Sequence, residues 1–195
     1  MSPPFVSVAV ILSYVLGSVP TGLWLGLKLR GVDIRQHGSK NIGATNTFRV
    51  LGRGLGIATL AGDILKGWVP VVLFARLDAW EYLPVLCGLA AILGHTFSLF
   101  LRFRGGKGVA TSTGVFLGLA PVPTLIAGGV FAIVFAATRM VSAGSISAAA
   151  AMIAAVFAIA TPVPVRIVTV LVAVLVIVKH HANIRRILKG EESRL

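Results

Sequence analysis

Most of this chain is too apolar to face water for long. Apolar runs lie at about 5–28, 55–76, 82–101, 108–120, 123–138, 141–161 and 165–180, with short polar segments between them. A bilayer core about 30 Å thick takes about 20 apolar residues per helical crossing, and only helices or closed barrels satisfy their own backbone in lipid. The expectation is an all-α polytopic integral membrane protein, one membrane-embedded domain over 1–195 with seven transmembrane helices, one or more of them short or broken. Composition agrees: 56% of residues are hydrophobic, 12% are charged and mean hydropathy is +0.94, which fits no soluble domain class. The first run, 5–27, is too long for a signal-peptide core and lacks a basic start, so it reads as a retained span.

A net charge of +12 would point to nucleic acid in a soluble protein, but here the placement of the charges decides otherwise. With the N-terminus outside, Lys28, Arg30, Arg35, Lys40, Arg49, Arg53, Lys66, Arg102, Arg104, Lys107, Arg139, Lys179, Arg185, Arg186, Lys189 and Arg194 all fall at or near the cytoplasmic side. Only Arg76 and Arg166 fall outside. That asymmetry satisfies the positive-inside rule, requires an odd number of spans and leaves the C-terminus cytoplasmic. The partners implied are anionic lipid headgroups, not nucleic acid. Lone Cys87 sits in an apolar run and reads as a core residue, so no disulfide framework or metal cluster is available.

Two polar, glycine-rich segments stand out against this background. Residues 38–49 read Gly-Ser-Lys-Asn-Ile-Gly-Ala-Thr-Asn-Thr-Phe-Arg, and residues 102–108 read Arg-Phe-Arg-Gly-Gly-Lys-Gly. Glycines allow close backbone approach. Ser39, Asn41, Thr45 and Asn46 supply neutral donors, and Arg49 offers a planar fork that matches a phosphate. Unpartnered charge and backbone cannot face lipid, so both segments must line a watery cavity or the interface. Neither is a nucleotide-binding Walker loop, because Leu101 stands where its first glycine would precede Gly106-Lys107.

The run at 108–120 is about 20 Å long as a helix and cannot cross a bilayer core unaided. Starting just after Gly105-Gly106-Lys107, it would bring its positive end part-way into the membrane, where an anion could bind. Pro20 interrupts the first span, either as a packing kink or as a cavity wall lined by Ser18 and Thr21. Asp63 and Lys66 share one helical turn inside an apolar span, either as a self-neutralising pair or with Asp63 orienting Lys66 or Arg49. Gly22 with Gly26 and Gly114 with Gly118 have packing spacing. His95 is ionisable at the end of a span, and His180 and Asn183 share a helical face at the last one. No acidic residue is evident beside either histidine, and no Ser/His/Asp triad or metal-ligand cluster is visible.

These motifs together resemble one known family. They are Gly-Ser-x-Pro-Thr-Gly at 17–22, Gly-Ser-x-Asn-x-Gly-Ala-Thr-Asn-x-x-Arg at 38–49, Asp-x-x-Lys-Gly at 63–67 and His-x-Phe-x-x-Phe-x-x-Phe-x-Gly-Gly-Lys-Gly-Val-Ala-Thr at 95–111, with Ser-x-x-Ser at 142–145 and His-x-x-Asn-Ile-x-Arg at 180–186. The family is that of the bacterial acylphosphate:glycerol-3-phosphate acyltransferases, the PlsY family. The resemblance implies a multi-pass enzyme of the bacterial inner membrane, with its active site facing the cytoplasm and no cofactor or metal. It would move an acyl group from acylphosphate to the 1-hydroxyl of glycerol 3-phosphate, giving lysophosphatidic acid in phospholipid synthesis. A soluble acylphosphate-forming enzyme is a further partner it implies. The His-x4-Asp pattern of other glycerophosphate acyltransferases is absent, since Phe100, Arg185, Arg186 and Ile42 stand where its aspartate would fall. Lys40 stands where many relatives have glycine, and Met140 where many have an aromatic residue.

On this reading Arg49, Ser39, Asn41 and Lys107 ligate phosphate, with Gly43, Thr45 and Asn46 in the same cradle. Gly105, Gly106 and Gly108 lend amides, His180 and Asn183 position substrate, Ser142 and Ser145 form a wall, and His95 is a further candidate. The general base is either a histidine or a substrate phosphate. The competing class is a transporter or channel for phosphate compounds, which would also need basic loops at broken helices. The two glycine segments do look faintly alike, but both follow inward-running spans and the halves do not otherwise match.

Overall fold

The computed structural model describes residues 3–195; Met1 and Ser2, on which the expected external N-terminus rests, lie outside the described residues. Among the described residues the chain is all-helical, without strands. Its helices are α1 (Pro3–Ser18), α2 (Thr21–Arg30), α3 (Ala44–Leu51), α4 (Arg53–Val72), α5 (Leu83–Thr96), α6 (Val109–Leu119), α7 (Pro121–Thr138), α8 (Val141–Ala158), α9 (Val163–Lys179) and α10 (His181–Leu188). Each apolar run is a helix, the first being α1 and α2 together. The short α3 and α10 are additions that the hydropathy pattern does not reveal.

Among the described residues four segments are long and apolar enough to cross a membrane: Arg53–Leu77, Leu83–Leu101, Pro121–Thr138 and Val141–Ala158. The number rises to six if two bent pairs each count as one span, α1 with α2 (47°) and α9 with α10 (57°). The expected seventh is α6, which has 11 residues and spans about 16 Å. The burial pattern is that of a protein in lipid. Leu125, Ile133 and Val163 point outward, while Thr59, Asp63, Lys66, His95 and Thr111 are buried. Cys87 is a buried core residue, as expected.

The chain divides into two compact units, Met1–Gly118 and Leu119–Leu195. In the first, Pro20 has no N–H and ends the run of α1, so carbonyls near the break need other donors. Ser98 Oγ donates to Ser18 O at 2.6 Å and Lys66 Nζ to Val19 O at 2.7 Å. Lys66 Nζ also sits 2.7 Å from Asp63 Oδ1, which accepts a bond from Thr21 Oγ1 at 3.0 Å. The buried Asp63–Lys66 pair is therefore also a patch on the broken helix. Helices α1 and α5 meet at backbone distance, because a Cβ at Gly94 would lie 2.2 Å from Tyr14 O and one at Gly17 2.1 Å from Ala91 O. Gly114, assigned to packing from its spacing, stands against Ile64 O of α4 in the same way.

In the second unit α7 and α8 form a hairpin that turns at Arg139, whose φ is 61°. Prolines begin its helices, with Pro121 opening α7 and Pro162 preceding α9. The chain then bends at His180 into α10.

Replacing Lys66 alone with methionine leaves Asp63 buried without its cation and should destabilise the protein by about 3 kcal/mol. The double variant Asp63→Leu/Lys66→Met removes both charges and should recover more than half of that loss. Thermal unfolding of the purified protein in detergent checks this; equal losses in the two variants would mean that the pair is not coupled.

Candidate active site

The loop before α3 is held by one side chain. Asn46, fully buried, donates from Nδ2 to Ile34 O (2.8 Å), His37 O (3.2 Å) and Asn41 O (2.8 Å), and its Oδ1 accepts the Ser39 N–H (2.8 Å). Its amide is thus committed to shaping the loop, which corrects the expectation of a substrate donor. Asn41 Oδ1 accepts the Gly43 N–H at 2.9 Å, a local turn that starts α3 at Ala44. Thr45 is half-buried in the first turn of α3, and Arg49 lies exposed in its last. Ser39 and Lys40 are exposed. The φ of Lys40 is 59°, a backbone that favours glycine.

The second loop is pinned to the end of α5. The Gly105 N–H donates to Thr96 O at 3.1 Å and the Gly106 N–H to His95 O at 3.0 Å. A Cβ on Gly105 would lie 2.0 Å from His95 O, so only glycine permits the approach. The expectation that Gly105 and Gly106 lend amides to a substrate is corrected accordingly, because those amides already anchor the loop. The first helical bond of α6 runs from Ser112 N to Gly108 O at 2.7 Å, so the amides before Ser112 stand at the positive end of the helix. Among the described residues the buried hydroxyls of Thr96, Thr111 and Ser112 have no hydrogen-bond partner. A Cβ at Gly108 would sit 3.3 Å from Thr96 Oγ1 and 3.8 Å from Ser112 Oγ, which locates both beside Gly108, the residue after Lys107 in the chain. The loops face each other, for Asn41 and Gly105 line one cleft of about 840 Å3.

His95 is buried with Nδ1 4.0 Å from Asp63 Oδ1. The expectation that no acid stands beside a histidine is therefore corrected. Asp63 and His95 are 32 positions apart, and only the packing of α4 on α5 joins them. Even so, 4.0 Å exceeds hydrogen-bond length, and Asp63 Oδ1 is already engaged by Lys66 and Thr21. The opposite ring nitrogen packs on the loop, since a Cβ at Gly106 would meet His95 Nε2.

In the second unit two of the candidates, Ser142 and Asn183, meet at Glu192. Its Oε1 accepts from Ser142 Oγ at 2.7 Å and Asn183 Nδ2 at 2.5 Å, and its Oε2 from Arg186 Nε at 2.7 Å. His180 and Asn183 are both buried, although His180 stands at the junction of α9 and α10. His180 Nδ1 lies 2.7 Å from Val176 O; a carbonyl only accepts, so Nδ1 carries the proton and Nε2 presents a lone pair in the neutral ring. Ser145 donates to its own helix at Val141 O.

The glycerol-3-phosphate acyltransferase family model matches residues 7–190. The chain belongs to that family. It is 53% identical to a glycerol-3-phosphate acyltransferase of Trichlorobacter lovleyi and 52% identical to one of Geobacter sulfurreducens, each over 93% of both chains. Two crystal structures of PlsY (YgiH), an integral membrane glycerol 3-phosphate acyltransferase, are also similar. Its glycerol 3-phosphate form gives a TM-score of 0.92 at 37% identity and its lysophosphatidic acid form 0.90 at 36%, each over 97% of this chain and 95% of that one. The expected PlsY family and all-helical membrane fold are thus both found. The chain is a membrane acyltransferase of phospholipid synthesis.

Glu192 escaped the sequence reading, as did the hydroxyls of Thr96, Thr111 and Ser112. The spacing of nine residues from Asn183 to Glu192 crosses a helix end, so no periodicity reveals it. Burial pushes the Glu192 carboxyl up, but bonds from Ser142, Asn183 and Arg186 together hold it below its ordinary 4.5. Because the folded value is the lower one, the stabilisation is complete above 4.5 and is lost as pH falls through the folded value. Glu192→Gln should remove that dependence. Melting temperatures of both proteins between pH 7 and pH 3 check it, the expected sign being a steeper fall for the unsubstituted protein.

Proposed function

We propose that the chain transfers an acyl group from acylphosphate to the 1-hydroxyl of glycerol 3-phosphate, releasing lysophosphatidic acid and phosphate. The observation that carries this reading is the pair of buried hydroxyls of Thr96 and Ser112 beside Gly108 at the start of α6, which have no hydrogen-bond partner among the described residues. Such groups are costly unless a polar ligand meets them, by about 1–3 kcal/mol each, and the helix start favours an anion. The related PlsY structures in glycerol 3-phosphate and lysophosphatidic acid forms support the acceptor and product. The acylphosphate donor follows from the motif resemblance. So do the soluble enzyme that forms it, the bacterial inner membrane and an active site at the cytoplasmic face.

An acylphosphate is already activated, so no covalent enzyme intermediate is needed. The hydroxyl oxygen attacks the acyl carbonyl, a tetrahedral oxyanion forms, and the acyl–phosphate C–O bond breaks to free phosphate. The protein's task is to hold two anions in attack geometry and stabilise the oxyanion. Arg49, Ser39, Asn41 and Lys107 take the phosphate roles, and His180 and Asn183 position substrate. Lys107→Ala and Arg49→Ala should each lower turnover by at least about a hundredfold with folding intact, and Arg49→Lys should also fail because a point charge cannot replace a fork. The decisive assay offers the purified protein glycerol 3-phosphate with acylphosphate, acyl-CoA or acyl carrier protein in turn. Product from either of the latter two without acylphosphate would overturn the donor assignment.

The proton goes to a phosphate of the substrate on this reading. The second pKa of a phosphate, near about 6, suits it to the role. The nearest acid to His95 is engaged elsewhere, and His180 is oriented by a neutral carbonyl. In His95→Ala and His180→Ala the residual turnover should keep an acid limb near about pH 6. Loss of that limb in one variant names its histidine as the base instead.

A further inference from the structure

The cleft between the two loops carries a second set of cations that the acyl-transfer reading does not use. Lys40, Arg102 and Arg104 line it together with Arg35, whereas Arg49 and Lys107 do not. Arg35 is neutralised in place: it binds Asp33 through Nε at 3.0 Å and Nη2 at 2.7 Å. That bond, with the Arg35 charge behind it, holds the Asp33 carboxyl down to about 2. Among the described residues no carboxylate lies within ion-pair distance of Lys40, Arg102 or Arg104. Two of these three sit on left-handed backbone, Lys40 at φ 59° and Arg102 at φ 51°, where a side chain costs about 1 kcal/mol or more relative to glycine.

The rim of the cleft is apolar. Phe100 lines it and is 45% exposed, Leu99 and Phe103 beside it are 49% and 59% exposed, and Phe100 meets Trp24 at 5.3 Å between ring centroids. Lys28 lies over the Trp24 ring at 5.8 Å. An aromatic next to a cation is the pairing found where a membrane meets water. Three uncompensated cations in a concavity call for a phosphate, and the apolar rim calls for a phosphate that carries acyl chains. We propose that this cleft binds the phosphate headgroup of an anionic membrane phospholipid, held by Lys40, Arg102 and Arg104, with its chains leaving past Phe100 and Trp24. Asn41 and Gly105 line the same cleft and belong to the two catalytic loops, so the bound lipid touches both of them.

The test is native mass spectrometry of the full chain, purified in detergent and offered equal amounts of phosphatidylglycerol and phosphatidylcholine. The unsubstituted protein should retain phosphatidylglycerol over phosphatidylcholine by about tenfold or more. Lys40→Gln/Arg102→Gln/Arg104→Gln should retain both equally, while Arg53→Gln/Arg185→Gln/Lys189→Gln, which removes the same charge elsewhere, should keep the preference. A preference that survives in the first variant, or disappears in the second, overturns the site. Inorganic phosphate added at constant ionic strength separates the two sources of the group: retention unaffected supports the lipid, and displacement assigns the cleft to a soluble phosphate. Acyl transfer by the first variant, expected within about threefold of normal because none of its residues is in the catalytic set, shows that it has folded. Loss of acyl transfer in the first variant, together with the expected phosphatidylglycerol preference of the unsubstituted protein, would add these cations to the acyltransferase roles and leave this site standing.

Discussion

The bond from Lys66 to the Val19 carbonyl is the contact on which the first unit depends. Proline in a membrane helix leaves carbonyls that lipid cannot satisfy, and at this break an ammonium supplies a donor. An ammonium needs a counter-charge at that depth, which is Asp63 one helical turn earlier. Asp63 then ties in Thr21 from the far side of the break and stands beside His95. One polar knot so fixes α1, α2, α4 and α5 relative to one another, and glycine contacts such as Gly94 against Tyr14 close the space that remains.

That knot also reaches the candidate catalytic loop. His95 and Thr96, at the end of α5, give their carbonyls to Gly106 and Gly105, so the loop inherits the placement of α5. The polar groups buried along α5 are therefore a path from the broken first span to the start of α6. Asp63 itself is held at the helix break, by Lys66 and Thr21.

Much of this was legible in the sequence. Hydropathy locates every long helix, because the demand for internal backbone bonding in lipid is absolute, and the length of α6 already says that it cannot cross alone. The motifs identify both loops. What the sequence hides is the direction of each polar atom. Asn46 reads as a donor to substrate, yet its four bonds all shape the loop; Gly105 and Gly106 read as amide donors, yet their amides anchor it. The Asp63–His95 neighbourhood is lost for another reason: residues far apart in sequence meet only through helix packing, which leaves no periodic trace. Short α3 and α10 escape hydropathy because each has eight residues, too few to register in a window sized for a membrane span.

The corrected roles make a stronger mechanism than the expected ones. Loop amides that waited for a substrate would leave the loop mobile until one bound, and ordering it would consume binding energy. Here Asn46 closes one loop and the carbonyls of His95 and Thr96 close the other before any ligand arrives. The groups that remain for substrate are side chains and a helix start on a frame already set. For an acyl transfer to glycerol 3-phosphate, where attack geometry supplies much of the rate, a rigid frame turns binding directly into orientation. Glycine at 105 is then a requirement of packing and not of flexibility: its missing Cβ is what lets the loop lie against the end of α5.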